Sequence, residues 1–578
     1  MKTRPFAPLV LRLSVLWALT LFGCGGPAQG PASDAADLYF FGGDILTMAG
    51  EEPTYVEALL VKEGKIVFAG SQAEALKQVG DSTESVDLQG KTLLPGFLDA
   101  HSHYISSLTV ANQVNVYAPP AGPGADVPSI VQAIADHIEK NAIPEGSIVQ
   151  AYGYDENVMP EGKLLNRDDL DAAFPNHIVV VGHVSMHGGV LNSMALNKWG
   201  YSAKTETAPG GVIVRKPGTN EPYGLIMEIS YEPVHKNLPK PQTPEEEIAW
   251  SKAGQMLYAQ QGITTAHEGA TFSHELAVMK RVSEAGENLI DLIAYPFITD
   301  LDASLALIPR DQWLTYHNGL KVGGVKITID GSPQGKTAMF STPYLTGGPG
   351  GEKEWKGEPT FPQETIEQMV KRVYDLGVPL NLHANGDGAI DAFFKAHEKA
   401  AADDLEKERH VTLIHAQFTR KDQLDQYVRY KVLPSFYTLH TYYFADAHKT
   451  NRGPEQAAYI SPMADAWAKG IRPTNHTDFY VAPLDQMFML WSAVNRISRS
   501  GEVIGPDQRI SAYQGLQTMT INVARQYQEE SNKGTLEVGK LADLVVLDQN
   551  PVKVDPEAIK DIKVVQTLKE GKTIYRRP

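Results

Sequence analysis

Short apolar runs broken by turn residues follow one another closely after residue 36: Leu38-Tyr39-Phe40, Asp44-Ile45-Leu46-Thr47-Met48, Ala58-Leu59-Leu60-Val61 and Lys65-Ile66-Val67-Phe68-Ala69-Gly70. This spacing predicts the strands of a small β domain. A matching set closes the chain, with Ala542-Asp543-Leu544-Val545-Val546-Leu547-Asp548, Val564-Val565-Gln566-Thr567-Leu568 and Gly571-Lys572-Thr573-Ile574-Tyr575. Neither set makes a stable sheet alone. Pairing the two ends, residues 37–94 with 534–578, into one composite β-sandwich is the economical solution, and it brackets a second domain between them.

Over residues 95–533 apolar strand-like runs alternate with helical periodicity, the pattern of an α/β fold built as a (β/α)8 TIM-like barrel. The predicted strands include Gly262-Ile263-Thr264-Thr265-Ala266, Leu289 to Tyr295, Val325-Lys326-Ile327-Thr328-Ile329, Val378 to His383, Val411-Thr412-Leu413-Ile414-His415 and Val432 to Phe436. Helices are expected at Pro362 to Leu376 and Ile390 to Ala401. A stretch rich in Pro and Gly, about 117–242, separates the first two barrel strands. It reads as an inserted subdomain that covers the substrate.

Composition narrows the partners. At 578 residues the chain is long enough for two or three domains. A formal charge of −17 argues against nucleic acid, whose phosphates call for clustered Lys and Arg. Lys2 and Arg4 precede an apolar stretch from Leu9 to Phe22, interrupted by Arg12, so residues 1–24 read as an export signal. Leu21-Phe22-Gly23-Cys24-Gly25 resembles a lipobox, which would make Cys24 a lipid anchor and place the protein in the periplasm or cell envelope. Residues 25–36 are a linker. Cys24 is the only cysteine, so no disulfide or thiolate ligand is available to the mature domain.

The chemistry lies at predicted strand ends, where barrel enzymes place their sites. His101 and His103 close Leu93-Leu94-Pro95-Gly96-Phe97-Leu98-Asp99-Ala100-His101-Ser102-His103. Residues i and i+2 of a strand share a face, roughly 6.6 Å apart, so two imidazoles can meet one cation. His383 and His415 end later strands, and Asp478 follows Thr474-Asn475-His476-Thr477. Alternation in Val325 to Asp330 puts Lys326, Thr328 and Asp330 on one face. A buried, neutral Lys326 can take up carbon dioxide as a carbamate and bridge two metals; the other reading pairs it with Asp330 or a substrate carboxylate.

These passages, with Gly331-Ser332, Ala384-Asn385-Gly386-Asp387-Gly388-Ala389-Ile390, Ala416-Gln417, Asn192-Ser193-Met194-Ala195-Leu196 and Gly534 to Leu544, resemble the amidohydrolase superfamily, specifically its amidohydrolase-3 group. The resemblance spans nearly the whole mature chain. It implies that His101 and His103 bind one divalent metal and His383 and His415 a second, zinc first with manganese or iron as the alternatives, and carbamylated Lys326 between them. Asp478 would touch the metal and act as general base and acid. Where the family usually has Gly-Ser-Asp this chain has His476-Thr477-Asp478, which leaves His476 to packing or substrate contact. His267 is an alternative metal ligand if Lys326 is not one. His187 is a substrate-binding candidate, and His440 a weaker one.

The implied activity is hydrolysis of a non-peptide C–N bond in a small amide or N-acyl compound, by water activated at one or two zinc ions. The same site could serve a cyclic amidase, a deaminase or an esterase. A non-catalytic metal- or solute-binding lipoprotein is the reading from another class. The sequence is compatible with a homodimer.

Overall fold

The computed structural model describes residues 35–160, 163–184, 188–208 and 211–578. Cys24, the expected export signal and His187 lie outside the described residues. Among those described, no helix is long and apolar enough to cross a membrane.

The centre of the molecule is a TIM-barrel-like α/β arrangement with eight strand positions, all paired in parallel: Phe97–Leu98, Ile263–Thr271, Asp291–Pro296, the split fourth position Leu320–Val322 and Val325–Thr328, Leu380–Ala384, Val411–His415, Val432–Phe436 and Thr474–Asn475. Their buried apolar residues, among them Leu292, Ile327, Leu382 and Leu413, fit strands covered on both faces.

The expected (β/α)8 barrel needs one correction, because its hydrogen-bond ladder is not closed. The strands form a four-stranded and a five-stranded arc. One seam falls at Gly323-Gly324, between the half-strand paired with Asp291–Pro296 and the half-strand paired with Leu380–Ala384. There a Cβ on Gly324 would stand 2.2 Å from the carbonyl oxygen of Pro379, so the chain crosses between arcs too tightly for any side chain. The other seam is spanned by Thr518 and Met519, whose carbonyls accept from Asn475 N (3.1 Å) and Leu98 N (2.9 Å).

Outer helices follow from amphipathic spacing. In Gln363–Leu376 the buried residues Ile366, Val370 and Val373 recur at helical intervals, and Gly377 ends the helix in the left-handed region at φ 62°.

Both chain ends contribute to a single eight-stranded sheet. Thr92–Pro95 pairs with Leu544–Leu547 and runs straight into the first barrel strand. Hydrogen bonding is continuous through this sheet. The sheet curls back on itself: Lys65 bridges Leu541, and Ala542 N donates to Gly64 O at 2.8 Å. Phe40, Leu59, Leu93, Leu544 and Leu568 fill its interior.

Between the first two barrel strands lies a second sheet of six strands, from Val114–Asn115 to Gly211–Arg215. It carries its own core, in which Ile130, Ile134 and Leu170 of two helices pack on Val149, Val179 and Val181. The first of these helices, Val127–Lys140, begins with a reciprocal cap between Asp126 and Ser129.

The terminal sheet is tied beneath the barrel by buried ions. Lys533 Nζ lies 2.7 Å from Asp291 Oδ2 and 2.8 Å from Glu529 Oε2, with its side chain only 3% exposed. Lys569, of the terminal sheet, reaches the same Asp291 at 2.9 Å. Removing one partner of such a cluster leaves an uncompensated buried charge. Lys533→Met is expected to lower stability by about 3–5 kcal/mol. Equilibrium urea unfolding tests this, and an unchanged midpoint would reduce the cluster to a passive contact.

Candidate metal centre

The first barrel strand is only two residues long, so His101 and His103 lie beyond it rather than on it. Their rings nevertheless converge, with centroids 5.3 Å apart and planes at 72°. What replaces strand geometry is a lacing of neighbouring loops. His103 N donates to Phe479 O at 2.7 Å, Asp478 N donates to His101 O at 3.2 Å, and His103 bridges Glu268. The end of the first strand is thereby locked to the ends of the eighth and second.

Asp478 is the hub. Its Oδ1 lies 3.5 Å from His101 Nε2 and 3.5 Å from His103 Nε2, while Oδ2 lies 4.0 Å from His415 Nε2. Asp478 Oδ1 is buried without a hydrogen-bond partner. One donor atom from each of His101, His415 and Asp478 falls within 4.8 Å of the others, and all three residues are buried. A tetrahedral cation with bonds of 2.0–2.1 Å separates its ligand atoms by roughly 3.3 Å, so this donor set fits a divalent metal with small adjustments.

Protonation suits the same use. Burial holds the imidazoles of His101 and His415 well below their usual value, with the neighbouring Lys326 and His383 respectively adding to the effect. Both are therefore neutral, as ligands must be. Burial also pulls on His103, yet the carboxylates of Asp478 and Glu268 lift it to about 9, so unlike the other two it carries a proton that it must release before it can hold a cation. Asp478 itself is raised by burial, but the close approach and charge of His103 prevail and hold it below the usual carboxylate range.

Lys326 projects into the centre from the fourth strand, 2% exposed, with Nζ 3.4 Å from His101 Nε2. It is not paired with Asp330. That carboxylate sits past the strand end, where it accepts from Asn385 N, Gly386 N and Met339 N at 2.9 Å each. Burial lowers the Lys326 amine to about 7.

His383 is brought beside His415, ring centroids 4.6 Å apart, but its nitrogens are engaged elsewhere. Nδ1 is 3.2 Å from Asp330 Oδ1, and Nε2 is 3.3 Å from Asn385 Nδ2. A turn of the ring is needed before it can join the cluster. His267, the alternative ligand, stands behind His101: the two Nδ1 atoms are 3.2 Å apart, and His267 Nε2 faces the Asn381 amide at 3.0 Å. His476 stands likewise behind His415, with Nε2 3.0 Å from His415 Nδ1. His440 turns from the centre to His448, 3.0 Å away.

Sequence reading passed over Glu268, Asn381, Ser435 and Gly269. A Cβ on Gly269 would lie 2.2 Å from His101 Cε1, so this glycine makes room for the imidazole. Its place directly after His267-Glu268 at a strand end was the available signal.

With this geometry in view, the comparisons are consistent. The profile of the amidohydrolase family matches residues 84–575, and the chain belongs to that family. It is a metal-dependent hydrolase acting on carbon–nitrogen bonds. A Bacillus subtilis (strain 168) protein bearing the name amidohydrolase YtcJ is 26% identical over 547 residues, covering 93% of this chain and 99% of its own. The N-substituted formamide deformylase of Arthrobacter pascens is 24% identical over 561 residues, covering 94% of this chain and 98% of its own. A crystal structure of a metal-dependent hydrolase from Pyrococcus furiosus superposes with a TM-score of 0.68 at 22% identity, covering 89% of this chain and 100% of that one.

Proposed function

We propose that the chain hydrolyses the amide bond of a small, uncharged N-acyl or N-formyl compound, with Asp478 as the proton carrier. The observation that carries this is the placement of Asp478 Oδ1, buried, without a hydrogen-bond partner, and 3.5 Å from two imidazole nitrogens. His101, His103, His415 and Asp478 would hold the cation, His383 would join after a ring turn, and Lys326 as a carbamate would bridge to a second. Such a cation, zinc being the first choice for nitrogen and oxygen donors, supplies Lewis acidity that polarises a carbonyl and acidifies a water.

The protein's own groups do the rest. Asp478, ionised, accepts a proton from the attacking water at a carboxylate oxygen. It then gives that proton to the leaving nitrogen, which departs as an amine rather than an unstable anion. The chain lacing between His103 and Phe479 keeps the carboxylate in reach of both events.

Two cavities lie between the inserted sheet and the barrel and reach the chain just after Asp478, at Phe479 and Tyr480, with no candidate ligand of the centre in either wall. One of about 330 Å³ is walled by Tyr117, Tyr152, Leu439 and Phe479, and one of about 230 Å³ by Tyr117, Tyr152, Tyr231 and Tyr480. Among the described residues lining them there is no Lys or Arg; the ionisable side chains are Asp485 in the larger and His183 and His235 in the smaller. The name of the Arthrobacter relative points to the same class. Metal analysis followed by a screen of N-substituted formamides, N-acyl amino acids, cyclic amides and esters tests the reading. Turnover confined to esters, or to substrates bearing a carboxylate, would overturn it.

The same proposal places the enzyme in the cell envelope, exported by residues 1–24 and anchored by lipid on Cys24. The apolar stretch and the lipobox-like Leu21-Phe22-Gly23-Cys24 support this. Fractionation checks it: Cys24→Ala should move the protein from the membrane pellet to the soluble fraction.

A further inference from the structure

His476 is fully enclosed, 1% exposed, in the residue pair just before the hub carboxylate, and the proposed hydrolysis gives it no task. Its surroundings do. Nε2 lies 3.0 Å from His415 Nδ1, and Nδ1 lies 2.9 Å from the hydroxyl of Ser435, on the strand between them. Tyr437 covers both rings, with centroids 6.0 Å from His415 and 5.1 Å from His476.

We propose that His476 is a positioning residue for the metal centre: its Nε2 accepts the Nδ1–H of His415 and its own Nδ1–H passes to Ser435 Oγ, leaving the Nε2 lone pair of His415 free for a divalent cation.

The reasoning is a count of protons. Two neutral imidazoles whose nitrogens are 3.0 Å apart share one hydrogen between those nitrogens, so only two arrangements exist. If His476 donates, His415 must carry its own proton on Nε2, the atom nearest Asp478, and cannot bind a cation there. If His415 donates, Nε2 is bare and directed at the hub. The second arrangement requires an acceptor for the Nδ1–H of His476, because a buried N–H without one is costly. Ser435 Oγ is that acceptor. The relay thus fixes both the tautomer and the plane of the ligand ring, the service a carboxylate or carbonyl usually performs behind a metal-bound histidine.

This inference rests on the assignment of His415 as a ligand, and its test is arranged to separate the two. The stripped protein is titrated with zinc against a competing chelator and with cobalt by its visible absorption, for wild type, His476→Gln, His476→Leu and Ser435→Ala. Gln offers an oxygen near the position of imidazole Nε2, whereas Leu fills similar space with no acceptor. His476→Leu is expected to bind about ten- to a hundredfold more weakly and to change the cobalt spectrum, with His476→Gln restoring most of the affinity. Ser435→Ala, a small change, is expected to weaken binding severalfold and decides the matter if the leucine variant does not fold.

Equal affinity for wild type and a folded His476→Leu overturns the positioning role. So does equal loss in the Gln and Leu variants, which would mark His476 as packing alone. Unaltered binding by Ser435→Ala overturns the relay. Absence of stoichiometric cation binding by wild type would instead remove the metal centre itself.

Discussion

Asp478→Asn is expected to leave the protein folded and able to bind its cation while turnover falls by about 10²–10⁴-fold. The substitution is nearly isosteric and keeps an oxygen that can face His101 and His103. It also suits the backbone: Asp478 sits at φ 54°, in the left-handed region that Asn tolerates well. What is lost is the negative charge that His103 holds in place, and with it the capacity to take a proton from water. Turnover should be measured on protein whose cation content matches wild type, with thermal unfolding as the control for folding. Activity close to wild type in such a sample would remove Asp478 from the proton path. Complete loss of cation would show that its charge serves binding first.

The centre was partly legible because barrel architecture turns strand order into spatial order. His101, His383, His415 and Asp478 stand far apart in the chain, yet each follows a strand, apolar before the three histidines and Thr474-Asn475 before Asp478, and the C-terminal ends of parallel strands meet at one end of the barrel. Simple alternation was less reliable. It assumed that His101 and His103 lie on a strand, whereas the strand stops at Leu98 and the pair is held by contacts to Phe479 and Glu268. It likewise grouped Asp330 with Lys326, but the fourth strand ends at Thr328 and Asp330 turns to three backbone amides. Period-two reasoning holds only as far as the ladder does.

Groups that act from behind a ligand were harder still to see. His267 and His101 are neighbours because their strands pair, and Ser435 lies between His415 and His476 because the seventh strand separates the sixth from the eighth. Neither relation is visible in the spacing of residues along the chain. Their types were no better guide, since a buried histidine reads equally as ligand, packing or support. Only the direction of each ring nitrogen separates these uses, and that is set by tertiary contacts.

Lys326 supplies the second large effect: zinc reconstitution of the stripped enzyme is expected to restore activity only when bicarbonate is present. The side chain is buried with no carboxylate at ion-pair distance among the described residues, and Asp330 is engaged elsewhere. Burial brings the amine to about 7, so it is mostly charged at pH 6 and mostly neutral at pH 8. A neutral amine adds to carbon dioxide, forming an N–C bond and releasing one proton, and the product is an anion suited to two cations where an ammonium suits none. Recovery in bicarbonate should therefore be faster at pH 8 than at pH 6. Lys326→Ala should lower activity by about a hundredfold or more, the scale on which metal sites respond to loss of a supporting group, and short carboxylates should restore part of it. Full recovery in buffer freed of carbon dioxide would eliminate the carbamate. The amine would then act as itself, 3.4 Å from His101, as a hydrogen-bonding group beside a single cation.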